Sequence, residues 1–127
     1  LLHPGCLQSM YDSFKHHKEL GVVGGKLLDD KGAIKSIGGN IDKETTISSL
    51  GHGQDQAHPT YNYVRKLDCV NEQIFMIKIH LLEILNGFTE SYTDLQYAVS
   101  DLCAKVRKNG DTVLYQPKSV SNELETD

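Results

Sequence analysis

Asn86-Gly87-Phe88-Thr89-Glu90-Ser91-Tyr92, the run Thr93 to Lys108, Asn109-Gly110, and then Thr112-Val113-Leu114-Tyr115-Gln116-Pro117: this stretch decides the fold. Leu95, Val99, Leu102 and Val106 recur at i, i+4, i+7 and i+11, which puts them on one face of a 3.6-residue period. Thr93 followed three residues later by Gln96 has the form of a capping box. Arg107 and Lys108 fall in the last turn, where cations suit the carbonyl end of the helix dipole. Gly110 lies where a left-handed residue ends a helix. The spacing therefore predicts a helix over 93–108, a tight glycine turn, and a strand over 112–116.

Working back toward the N-terminus, the pattern alternates between helix and strand. Pro4-Gly5 is a turn, and Leu7, Met10, Tyr11 and Phe14 make an apolar face for a helix near 5–19. Val22, Val23, Leu27 and Leu28 read as a strand near 21–28, with Asp30-Lys31-Gly32 as the turn after it. A second short strand over 33–41 is broken by Gly38-Gly39. The diglycine Gly24-Gly25 is read as close packing before it is read as a phosphate cradle. Residues 42–63 are irregular. The apolar run from Leu67 to Ile79 predicts a long strand over 67–78, interrupted by Asn71-Glu72-Gln73, with helical turns from His80 to Leu85. A polar triplet inside such a run needs partners or water, so it marks a bulge or a pocket edge. The sum is one α/β domain, a mixed sheet flanked by helices.

Composition narrows the class. The chain has 127 residues, 39% hydrophobic and 24% charged, an ordinary globular balance. A net charge of −4 with scattered basic residues argues against a nucleic-acid surface. Cys6, Cys69 and Cys103 have no metal-ligand spacing and an odd count, which suits small buried thiols in a reducing compartment; a cytoplasmic location is the expectation. No apolar run approaches the roughly twenty residues of a membrane span. His52, Asp55 and His58 share the irregular loop, but nothing else supports a metal there.

The segment Asp101-Leu102-Cys103-Ala104-Lys105-Val106-Arg107-Lys108-Asn109-Gly110, followed by Val113 to Lys118, resembles the acceptor-side, C-terminal half of a family-two glycosyltransferase with the GT-A fold, in its bacterial rhamnosyltransferase-like flavour. Gly87-Phe88 fits the same family's Gly-Gly-Phe-Asp-Glu stretch. Pro4-Gly5-Cys6-Leu7 fits its Pro-Gly-aromatic-Leu segment, with Cys6 in place of the aromatic. The resemblance implies transfer of a sugar from a nucleotide-sugar to a glycan or lipid-linked acceptor. It implies that an Asp-x-Asp metal motif lies upstream of Leu1, so a divalent metal is expected only with that upstream half. It places Asn71-Glu72-Gln73, where the family has a Ser-Gly-Ala-type stretch, beside the donor sugar and diphosphate, which a glutamate would repel, and residues 42–63 in a loop over the acceptor side. The acceptor-binding candidates are Glu72, Asp101 and Tyr61; Tyr61 and Tyr63 offer aromatic faces to a pyranose or, alternatively, anchor the loop.

The departures from the family are chemical. Its Glu-Asp-x-Asp-Leu segment falls on Ala98-Val99-Ser100-Asp101-Leu102, so Val99 stands where the general base should be, and an alcohol attacks poorly unless its proton is removed. Asp101 matches the second, structural Asp; two residues from position 99, it points about 200° away on a helix. No catalytic residue is assigned. The expectation is a glycosyltransferase-like piece inactive by itself, or alternatively a non-catalytic glycan-binding or scaffold module. As a half-domain it is expected to self-associate through exposed sheet.

Overall fold

The computed structural model describes residues 2–44, 46–85 and 94–123. At its centre lies β1 (Leu20–Leu28), buried at all nine positions. Burial on every side explains why this strand reads as nearly continuous apolar sequence. Along one edge β7 (Thr112–Asn122) runs parallel to it, from Leu20 opposite Thr112 to Leu28 opposite Asn122. Along the other edge two antiparallel strands follow one another: β6 (Phe75–Ile77) opposite Val22 to Gly24, and β2 (Ile34–Ser36) opposite Leu27 and Leu28. β5 (Arg65–Lys66) pairs antiparallel with the far edge of β7. A separate hairpin joins β3 (Gly39–Ile41) and β4 (Ile47–Ser49). The result is the expected α/β class, a curled mixed sheet flanked by helices.

Both faces are covered because strand side chains alternate. Leu20, Val23, Leu27 and Leu114 pack under α1 (Cys6–His16) with Cys6 and Met10. Val22 and Val113, their neighbours in sequence, point the other way and pack under α3 (Leu95–Lys108) with Val99, Cys103 and Val106. A parallel pair needs a long crossover; here the connection includes α2 (Ile79–Ile84) and α3.

Several predicted boundaries move, each for a local reason. The helix predicted over 93–108 begins after Asp94, whose side chain accepts the Gln96 N–H at 2.9 Å. The Thr93 capping box lies outside the described residues. α1 stops at His16 rather than reaching residue 19, because His17 is already extended and β1 starts at Leu20. The long strand predicted over 67–78 is not formed. Leu67, Cys69, Val70 and Ile74 are buried as read, but only 65–66 and 75–77 pair as strands. Between them Asn71 closes a turn: its side-chain oxygen accepts the Gln73 N–H at 2.9 Å and its carbonyl accepts from Ile74 at 3.3 Å. Such local bonds compete with a ladder. Conversely, the last strand does not stop near Pro117. A bulge absorbs residues 116–119, since Tyr115 faces Gly24 while Val120 already faces Lys26. Proline has no N–H for a ladder and is tolerated at a bulge.

Candidate functional site

A hollow opens between the β2–β3 corner and α3, beside the edge of the sheet. Its walls come from β2 and β3, from the turn at 69–73, and from the first half of α3. Its volume is about 210 Å³. The floor depends on Gly38, whose φ is +117°. A Cβ there would come within 2.6 Å of the Cys69 carbonyl oxygen, so the β2–β3 corner can meet the 69–70 backbone only with glycine at this position. Gly39 and Cys69 then exchange backbone hydrogen bonds at 3.0 and 3.1 Å.

The lining is rich in neutral hydroxyls and amides. The Ser49 hydroxyl donates to Ser36 Oγ at 3.0 Å, and the Gly38 N–H donates to the same oxygen at 3.1 Å. Ser100, one turn beyond Gln96, bonds that residue's carbonyl at 2.8 Å. Asn71 is buried, while Glu72 and Gln73 stand at the rim. Glu72 is the one carboxylate among the described lining residues. Lys35 reaches over the rim to an ion pair with Glu123, and His52 lies beside the Lys35 carbonyl at 3.4 Å.

The three acceptor-binding candidates are not brought together. Glu72 lines this hollow. Asp101 lies on the neighbouring face of α3, ion-paired with Lys105 at 3.3 Å, in a second hollow of about 370 Å³. Tyr61 lies in neither. It packs against the cluster of Leu28, Ile34 and Ile37, and its carbonyl accepts the Tyr115 hydroxyl at 2.6 Å. It anchors the loop, the alternative left open for it. The burial of Tyr115 raises its pKa and keeps that hydroxyl a donor.

Val99 is 1% exposed and sits among Val22, Cys69, Val70 and Cys103. The helix register therefore turns position 99 into the core and presents Gln96 and Ser100 to the hollow. These two residues were missed from sequence, although a small polar residue beside an apolar stripe is the signal that marks them. Lys26 was also missed. It is 3% exposed inside β1, and its ammonium donates to the Gln56 carbonyl at 2.8 Å and to Asn62 Oδ1 at 2.6 Å. It pins the 56–62 loop to the sheet, and burial lowers its pKa.

The thiols are placed for packing. Burial pushes Cys6 and Cys69 up, and pushes Cys103 up to about 12, so they hold their protons and lack the thiolate a nucleophile needs. His58 caps the short 3-10 turn by accepting the Thr60 N–H, and Asp55 accepts the Ala57 N–H. Among the described residues no three His, Cys, Asp or Glu side chains are grouped to hold a metal. Gly24 and Gly25 face Val70, Ile74 and the Ser119 carbonyl, which is close packing. Among the described residues no helix is long and apolar enough to cross a membrane. No family model matches the chain, and no curated protein matches it.

Proposed function

We propose that this chain is the acceptor-side half of a glycosyltransferase-like domain and that the hollow between the β2–β3 corner and α3 receives a sugar of the acceptor. One observation carries the reading: a cavity between the β2–β3 corner and the first half of α3, walled largely by Ser36, Ser49, Asn71, Gln73, Gln96 and Ser100, with Lys35, His52 and Glu72 also in its lining. Neutral donors and acceptors in that density suit a polyhydroxylated, uncharged ligand, because each hydroxyl can trade a water for a fixed partner. The resemblance of residues 101–118 to family-two enzymes points the same way.

Transfer from a nucleotide-sugar needs a group to take the acceptor proton. Val99 faces the core and has no such capacity, so the carboxylate nearest the task is Glu72. Nucleotide-sugar and metal belong to the other half of such a domain, and the compartment is cytoplasmic. The chain by itself is expected to bind glycan weakly and to turn nothing over. The burial of Val99 favours a second reading, a module that retains sugar binding without catalysis.

Isothermal calorimetry tests both readings. The chain is titrated with neutral oligosaccharides and with nucleotide-sugars. Glycan binding without tight nucleotide-sugar binding or turnover is the expected result. Tight nucleotide-sugar binding with turnover by these residues alone would overturn the inactive half-domain reading. Glu72→Gln in the longest available form separates the two readings: loss of transfer there identifies an enzyme, whereas unchanged sugar binding with no transfer in either form identifies a binding module.

A further inference from the structure

The second hollow lies on the same helix as the first, one face further round. Its lining includes Ile47, Tyr97, Ser100, Asp101 and Arg107. Ile47 and Ser100 line both hollows, so the two meet at a saddle between the β3–β4 hairpin and α3. Alone, the first is small for a ligand site; together they fall within the range of ordinary small-molecule sites.

The chemistry changes across the saddle. On the first side are hydroxyls and amides. On the second is Tyr97, 51% exposed in the first turn of α3. Asp101 follows one turn along the helix, and Arg107 lies further on in the same hollow. Arg107 is held in place by Asp68, with its Nε donating to the Asp68 carbonyl at 3.1 Å and a side-chain ion pair at 3.9 Å. Asp101 is held by Lys105 at 3.3 Å. A flat exposed ring with a carboxylate one turn away complements a pyranose, which has an apolar face and a hydroxylated edge.

Resting on the acceptor reading above, we propose that the two hollows form one cleft for a glycan of at least two sugar units, the first unit held at Ser36, Asn71 and Ser100 and the next stacked on Tyr97. A single sugar would fill only one side of the saddle.

The test is calorimetry with methyl glycosides of glucose, galactose, rhamnose and N-acetylglucosamine, and with their di- and trisaccharides. The expected result is that at least one series binds roughly tenfold more tightly as the disaccharide than as the monosaccharide, the scale of one aromatic contact. Tyr97→Ala removes that gain and leaves monosaccharide binding unchanged, while Tyr97→Phe keeps it. Tyr97 is exposed, so both variants fold. Equal affinity for one and two units, or a gain that survives Tyr97→Ala, overturns the extended cleft and leaves the acceptor reading standing. If no member of any series binds, the acceptor reading falls, and this inference with it.

Discussion

Replacing Val99 with aspartate puts a carboxylate at the position that, on the proposed reading, corresponds to the base of a family-two transferase. It should unfold the protein rather than activate it. The side chain at 99 is 1% exposed and surrounded by Val22, Cys69, Val70, Cys103, Val106 and Val113, and none of these offers a charge or a strong donor. The introduced acid would stay protonated. Holding it neutral at pH 7 against an unperturbed pKa near 3.9 costs about 4 kcal/mol at about 1.4 kcal/mol per pH unit. Losing the buried apolar surface of valine adds about 1.5 kcal/mol. The sum, about 5–6 kcal/mol, approaches the whole stability of a small domain. In urea titrations followed by circular dichroism the midpoint should fall by about 3 M or more. The penalty has a pH signature. The folded-state pKa of the new acid lies above its unfolded value, so the protonation part of the cost vanishes below about pH 4 and grows as pH rises from there, while the apolar loss stays. Ser100→Asp, one residue on but facing the hollow, should cost under about 2 kcal/mol, within the usual range of single substitutions. A Val99→Asp protein as stable as wild type at pH 7, or less perturbed than Ser100→Asp, refutes this register of α3 and returns the base slot to the pocket.

Lys26→Met exchanges a buried ammonium for an apolar group of similar length and leaves Asn62 Oδ1 without that donor; hydrogen exchange should quicken at Thr60 to Asn62, while urea titration shows a global change of less than about 2 kcal/mol, since desolvation relief offsets the lost bonds. Alkaline unfolding should track the thiols: folded Cys103 keeps its proton up to about pH 12, whereas the unfolded thiol ionises near pH 9, so stability present below pH 9 is lost as pH rises toward 12. By pH 10 this site alone should remove about 1.4 kcal/mol, and Cys103→Ala should reduce the alkaline loss by that share in urea titrations at stepped pH. Cys6, Cys69 and Tyr115 act in the same direction, and Lys26 opposes them, because its lowered pKa lets the unfolded chain bind more protons. Self-association through the short outer strands β5 and β6 should raise the apparent mass in light scattering as concentration increases; a constant monomer mass would exclude it.

Much of the fold was legible because the strongest periodicities coincide with the structure. The stripe Leu95, Val99, Leu102 and Val106 did form α3, although Leu95 itself ends up exposed at the first turn. The Val22-Val23 and Leu27-Leu28 pairs did mark the central strand. The errors arose where side chains bond their own backbone or where register shifts. Asn71 folds the chain into a turn within an apolar run that hydrophobicity alone reads as one strand. The bulge at 116–119 carries β7 past a proline that looks like a stop. The site was only partly legible for a related reason. Spacing along a helix tells which residues share a face, but which face meets the sheet is settled by packing. Position 99 belongs to the core, and its neighbour Ser100 belongs to the pocket. Tyr61, attractive as an exposed aromatic in a loop, is drawn inward by the Tyr115 hydroxyl, a contact 54 residues apart that no local pattern encodes.

The central claim is that the hollow at the β2–β3 corner and the start of α3 holds a sugar. It is tested most directly by nitrogen-15 NMR of the whole chain during titration with the tightest-binding oligosaccharide. The expected result is saturable movement of the Ser36, Gly38, Gly39, Ser49, Asn71, Gln73 and Ser100 amides along one binding curve. Movement confined elsewhere, such as the groove of Ser13, His16 and Gln116 beside α1, or no saturable movement at any sugar concentration, would contradict it.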